Sequence, residues 1–114
     1  EKDVIFCGWE AGNPVITGSE WLKEILNPKH PVYRGYELYN NFAGRQSWDQ
    51  IAVLVLLDIG YEFFTFVYGE CIVHSDGSNN WNNDPEGPHR YVVINGDIGA
   101  ERISRYIDRL MAGI

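Results

Sequence analysis

The residue with the clearest chemical potential is Asp49, which stands just after Ser47 and Trp48 at the mouth of an apolar run, Ile51 to Leu57. The pattern Ser47-Trp48-Asp49-Gln50 is that of a capping box, with Ser47 as N-cap and Gln50 three residues on, so the run is expected to be a helix. A carboxylate in the first helical turn gains from the positive end of the helix dipole and stays ionised even when partly desolvated. Two roles fit that position. Asp49 can cap its own helix, or it can supply one of the several oxygens that a hard cation such as Ca²⁺ requires. Trp48 beside it can stack on a ring or fill the core.

Other polar and aromatic clusters are less specific. Tyr33, Tyr36 and Tyr39 recur at helical spacing after Pro31, which suits a first helical position, and Tyr36 is the member that could present its hydroxyl to a pocket. The stretch Asp76-Gly77-Ser78-Asn79-Asn80-Trp81-Asn82-Asn83-Asp84 is rich in side-chain oxygens but lacks the spacing of an EF-hand. It reads as part of a long polar loop, 75–89, with an exposed Trp81 that could hold a sugar. His30, His74 and His89 lie far apart, and no Cys or His spacing matches a zinc site. No Ser-His-Asp arrangement or phosphate-cradling glycine loop is present.

The elements that must position these residues follow from periodicity. Val4-Ile5-Phe6-Cys7 is short and wholly apolar, as in a buried parallel strand. A helix is expected over 19–26, with Thr17 and Glu20 as a capping box, and a second from Pro31 toward Gly44. The helix after Ser47 is apolar on nearly every side and is expected to be central and buried, closed by Asp58 and Gly60. Short strands follow over 62–68 and 70–73, with a tight turn at Gly69, then a strand over 90–94. An amphipathic helix over 100–111 turns Ile103, Ile107, Leu110 and Met111 inward. A lone parallel strand leaves backbone groups without partners. Either later strands complete its sheet, or the chain is the carboxyl-terminal part of a larger α/β protein; the second reading is preferred.

Length and charge narrow the setting. One domain's worth of chain, 114 residues, carries 9 basic and 16 acidic residues, a net charge of −7. That balance disfavours nucleic acid or an anionic membrane surface as partner. The longest apolar run is too short to span a bilayer. Cys7 and Cys71 sit in apolar runs and are expected to be buried thiols rather than a disulfide framework. The chain opens on Glu1 without a signal peptide, as a mature form or a fragment would.

The stretches Pro31-Val32-Tyr33-Arg34 and Gly44-Arg45-Gln46-Ser47-Trp48-Asp49-Gln50-Ile51-Ala52-Val53-Leu54 resemble the carboxyl-terminal part of bacterial proteins of the inosine-uridine nucleoside hydrolase family. Val4 to Asn13 is similar to the late strand of that fold and the turn after it. Asp76 to Trp81 and Gly87 to Tyr91 look like a hairpin and loop of one branch. The resemblance implies an α/β fold with a late parallel strand, helices, a small antiparallel hairpin and a carboxyl-terminal helix, in which residues 1–114 form one segment of a larger domain. It implies hydrolysis of the N-glycosidic bond of a nucleoside, with Ca²⁺ gripped at the carboxyl ends of the strands and ribose hydroxyls in its shell. Asp49 is then the one metal ligand carried by this chain. The amino-terminal Asp-Thr-Asp-x-Gly-x-Asp-Asp cluster that supplies the others is not in it, so the segment needs the amino-terminal part of the fold, and the resemblance is compatible with a homo-oligomer. Many members place His before that aspartate to assist the leaving base. Trp48 stands there instead, and tryptophan can stack but is no general acid at neutral pH. The competing expectation is a module that binds a sugar or nucleoside without chemistry, through Trp48, Trp81 and the Asn-rich loop.

Overall fold

In a computed structural model, which describes residues 3–57 and 60–114, the chain is a mixed α/β assembly. The elements are β1 (Val4–Phe6), α1 (Trp9–Gly12), β2 (Ile16–Thr17), α2 (Glu20–Ile25), α3 (Pro31–Asn40), β3 (Arg45–Gln46), α4 (Trp48–Leu56), α5 (Gly60–Phe63), β4 (Phe64–Val73), β5 (Asn79–Asn83), β6 (His89–Ile94) and α6 (Ala100–Ala112).

Four strands form one sheet in the order β1-β6-β4-β5. β1 lies parallel to β6, with Val4 opposite His89 and Phe6 opposite Tyr91. The expected parallel strand therefore takes a neighbour from the far end of the chain. Its other edge has no strand among the described residues. β4 pairs antiparallel with β6 on one side and with β5 on the other, so an antiparallel hairpin is present but is β4–β5 rather than the expected pair 62–68 and 70–73, and residues 62 and 63 belong to α5.

Two expectations about this hairpin are corrected. Gly69 is not a turn: β4 runs unbroken through it, paired with Asn83 and His89. The glycine is there for lack of a side chain, since a Cβ would run into the Asn82 carbonyl and the Trp81 ring. The polar stretch 75–89 is also not all loop, because Asn79–Asn83 is strand β5. The turn chemistry is confined to its ends. Gly77 takes a φ of 85°, and the Asp76 carboxylate accepts from the Ser78 backbone at 2.9 Å and from its hydroxyl at 2.6 Å.

The core lies on one face of the sheet, where Ile51, Leu54 and Val55 of α4 and Ile103 and Ile107 of α6 pack on Phe63, Phe64 and Val92. α6 has the expected range and buries Ile103 and Ile107, but Leu110 is half exposed and Asp108 is buried instead. α4 is buried on one side only: Val53 is 61% and Leu56 81% exposed. The helix ends at Leu56, and of the two residues expected to close it Asp58 lies outside the described residues. A two-residue ladder of β2 and β3, Ile16 opposite Gln46 and Thr17 opposite Arg45, clasps the α2–α3 excursion. Such short segments carry too little periodicity to be read from sequence.

α3 starts at Pro31 as expected, with His30 as N-cap accepting from the Val32 backbone through Nδ1 at 3.2 Å. It stops at Asn40 rather than near Gly44, because Asn41 and Phe42 both adopt left-handed angles. The Phe42 ring is buried there and meets Tyr33 edge-on at 4.8 Å. The capping box expected before α2 is absent: Ser19 is the N-cap, and the Thr17 hydroxyl is used elsewhere.

Glycine replacements separate packing from backbone freedom. Gly69→Ala should cost about 1–3 kcal/mol through overpacking against Asn82 and Trp81. Gly35→Ala, inside α3 with nothing near its Cβ position, should stabilise by roughly 0.5–1 kcal/mol. Denaturant midpoints of the two variants, moving in opposite directions from the wild type, are the check.

Candidate functional site

Of the residues singled out by spacing, Trp48 and Trp81 lie near the carboxyl end of β1, whereas Tyr36 and Asp49 lie elsewhere. Trp48 opens α4, and its indole Nε1–H donates to the Trp9 carbonyl at 2.9 Å, in the helical turn that follows β1. The Trp9 and Trp48 rings lie 6.4 Å apart, and the Arg45 guanidinium caps Trp48 at 5.3 Å. Gly12 makes this approach feasible, since any Cβ there would overlap Trp48. The start of α4 is thereby fastened to the end of the parallel strand. Asp49 follows in the first turn, as expected, and is exposed rather than partly desolvated.

Ser47 occupies the N-cap position but does not cap through its side chain. Its buried hydroxyl shares a 2.8 Å bond with Thr17 Oγ1 and a longer one with the Arg45 carbonyl. Thr17 in turn shares a 2.7 Å bond with the Tyr36 hydroxyl, which also meets Met111 Sδ at 3.9 Å. The expected capping box is thus replaced by a buried chain of hydroxyls that joins α3, β2 and α4. Burial pushes the Tyr36 phenol up, against the opposing pull of the Thr17 bond. Tyr36 is therefore a structural member of this network and does not share an open pocket with Asp49. Of its neighbours in the tyrosine stripe, Tyr33 packs on Phe42 and Tyr39 is exposed beside Arg45.

Asp108 closes the same region from the far side. Its Oδ1 accepts from the Gly18 backbone N–H at 2.9 Å, and the residue is 4% exposed. Desolvation raises its pKa, and the Gly18 bond offsets this in part. Spacing on an amphipathic helix offers no sign that one polar residue will turn inward.

Trp81 is half-buried on β5 rather than exposed on a loop. Its ring meets Tyr91 at 5.1 Å and Phe6 edge-on at 6.1 Å, and its Nε1–H donates to the Asn83 side chain at 2.8 Å. Tyr91 donates its hydroxyl to Glu10 at 2.6 Å. That bond holds the Glu10 carboxyl below its usual range, while burial and Glu10 push Tyr91 up to about 12. Sequence reasoning passed over Glu10 and Tyr91, which lie 81 residues apart. Cys7 and Cys71 are unpaired and half-buried rather than buried, and burial raises the Cys7 pKa.

No protein-family model matches the chain, and no curated protein or solved structure is significantly similar to it. Among the described residues no group of three or more His, Cys, Asp or Glu side chains is arranged to hold a metal ion. A Ca²⁺ shell needs about six to eight oxygens, so Asp49 fits as one contributor and the residues of this chain do not make a calcium site by themselves.

Two measurements follow. Ser47→Ala and Thr17→Val should each cost about 1–3 kcal/mol, with a non-additive double variant because they share one buried bond. Strict additivity in a double-mutant cycle would show Ser47 to be only a cap. For Asp108, whose folded pKa is raised, the folded state holds the proton more firmly than the unfolded chain. Its contribution is fully present below the ordinary aspartate value of about 4 and lost as pH rises through the raised one. Relative to Asp108→Asn, the wild type should therefore gain stability as pH falls from 7 toward 4, as read from unfolding midpoints at each pH.

Proposed function

We propose that this chain is the carboxyl-terminal portion of a nucleoside N-ribohydrolase-like protein, which hydrolyses the N-glycosidic bond of a nucleoside with Ca²⁺ when complete. The observation that carries the reading is the Trp48 Nε1–Trp9 carbonyl bond, which pins Trp48 and the start of α4 beside the carboxyl end of a parallel strand, while Asp49 lines the apolar groove between α4 and α6. Ligand sites of α/β sheets form at that end of the strands. Two further features support it. β1 offers a parallel edge that a further strand could extend. α4 presents Val53 and Leu56 outward, next to an apolar groove of about 260 Å³ shared with Ile107 and Leu110 of α6. Both are the surfaces that the amino-terminal part of such a fold would cover.

In this reading Asp49 offers a carboxylate oxygen to the metal, and Trp48 supplies a stacking face, as the sequence resemblance implies. Trp48 cannot protonate the leaving base, so that proton must come from another group or from water. A second reading, binding of a sugar or nucleoside without chemistry, is favoured by the lack, among the described residues, of any group of three or more side chains arranged to hold a metal and by the aromatic surroundings of Trp81.

The 114-residue chain alone should release no ribose from inosine or uridine above the level of its Asp49→Asn variant. In the complete protein, Asp49→Asn keeps the shape and any capping role but removes the charge, so calcium affinity should fall at least tenfold. Equal calcium titrations of wild type and variant would exclude the ligand role.

A further inference from the structure

A cleft of about 690 Å³ lies between α6 and the chain around β2 and the start of α2. α6 contributes Arg105, Asp108 and Arg109 to its lining, and Ile16 and Trp21 supply apolar surface. Its size falls within the range of about 300–1,000 Å³ common to small-ligand sites. Neither Trp48 nor Asp49 lines it, so it is separate from the residues of the proposed hydrolase site.

We propose that this cleft binds a small zwitterion with an apolar side chain, a free amino acid or a dipeptide, its ammonium against the Asp108 carboxylate and its carboxylate against the Arg109 guanidinium. Asp108 is 4% exposed, and its Oδ1 is taken by the Gly18 N–H. Its Oδ2 makes no bond, and no cation pairs with it among the described residues. No fully buried side-chain oxygen of those residues lacks a partner, so Oδ2 reaches solvent, through the cleft that Asp108 lines. A carboxylate so desolvated is a poor ion until a cation joins it, which is why its pKa is raised. Arg109 is exposed and pairs with no carboxylate among the described residues, Asp108 included. Arg105 differs, because Glu101 holds it at 2.9 Å. The cleft therefore offers one deep anion and one free cation at its rim. A bare amine would meet Arg109, and a bare anion would meet Asp108. A neutral sugar would leave both charges without an ionic partner. A zwitterion satisfies the two together through charge-assisted hydrogen bonds. Trp21 and Ile16, each 39% exposed, give its side chain an apolar surface to cover. None of these observations depends on the nucleoside reading.

The test is a titration of the ¹⁵N-labelled 114-residue chain, followed through the Gly18 amide, which donates to Asp108, and the Trp21 indole. Phenylalanine and glycylphenylalanine are the two probes, and the one that binds more tightly identifies the ligand as a free amino acid or a dipeptide. Either should shift both signals while the Trp48 indole, bonded to the Trp9 carbonyl, stays in place. Phenethylamine, which lacks the carboxylate, and phenylpropionate, which lacks the ammonium, should each bind more weakly, the latter by about tenfold or more. Asp108→Asn keeps an oxygen for Gly18 but removes the charge, and should weaken binding about tenfold. Arg109→Gln, at an exposed position that the fold does not need, should weaken it about threefold. No shift with either probe at millimolar concentration would overturn the proposal. Equal binding of phenylpropionate or of glucose, or unchanged affinity in both variants, would overturn it too. The analogue comparison is made on the wild type, so it decides the matter even if Asp108→Asn does not fold.

Discussion

The carboxyl end of β1 takes its shape from the pairing of Val4–Phe6 parallel against His89–Tyr91. This pairing joins the two ends of the chain, and its loop-closure entropy is repaid only when the core forms on the same sheet. It sets Phe6 against His89 and brings the β1–α1 turn to Tyr91, so that Glu10 finds its hydroxyl partner. Residues of α1 then meet those of α4 through the Trp48 indole. Remove the pairing and the Glu10–Tyr91 bond, the Trp9–Trp48 contact and the placement of Asp49 all lose their frame.

A second constraint works from the other side of the molecule. Thr17, Ser47 and Tyr36 bury three hydroxyls that satisfy one another, and Asp108 secures Gly18 next to them. Polar groups in such a place stabilise only when every partner is present, so they hold β2, α3, α4 and α6 in one arrangement. Gly18, at φ 75°, lets the Tyr36 ring lie against its backbone where a Cβ would collide. The hydroxyl chain thus fixes the start of α4 from below, while the Trp48 indole fixes it from above. Asp49 is exposed but not loosely placed.

The two anchors leave one side of the protein open. α4 keeps Ile51, Leu54 and Val55 in the core and turns Val53 and Leu56 to solvent, and β1 keeps a free parallel edge among the described residues. Surfaces of this kind are unusual on an isolated domain and common where further structure packs. In the function proposed above, these are the surfaces that the rest of the fold would cover.

Local patterns were enough to mark several elements. The apolar run at Val4, Pro31 at a helix start, the Ser47 boundary and the stripe of Ile103 and Ile107 each carry their signal within a few residues, and each element formed where expected. Asp49 in the first turn of α4 was legible for the same reason. What failed were assignments in which a distant partner decides the role of a single side chain. Gly69 looked like a turn because a glycine between strand-like runs gives no hint of a Trp81 that will lie across it. Thr17 and Ser47 looked like caps because the same hydroxyl can bond its own helix or another element, and only the fold decides which. The apolar run of α4 looked central because composition reports hydrophobicity, not which side finds a neighbour. The Glu10–Tyr91 pair was invisible, since 81 residues separate two common side chains that only the parallel strand pairing brings to 2.6 Å.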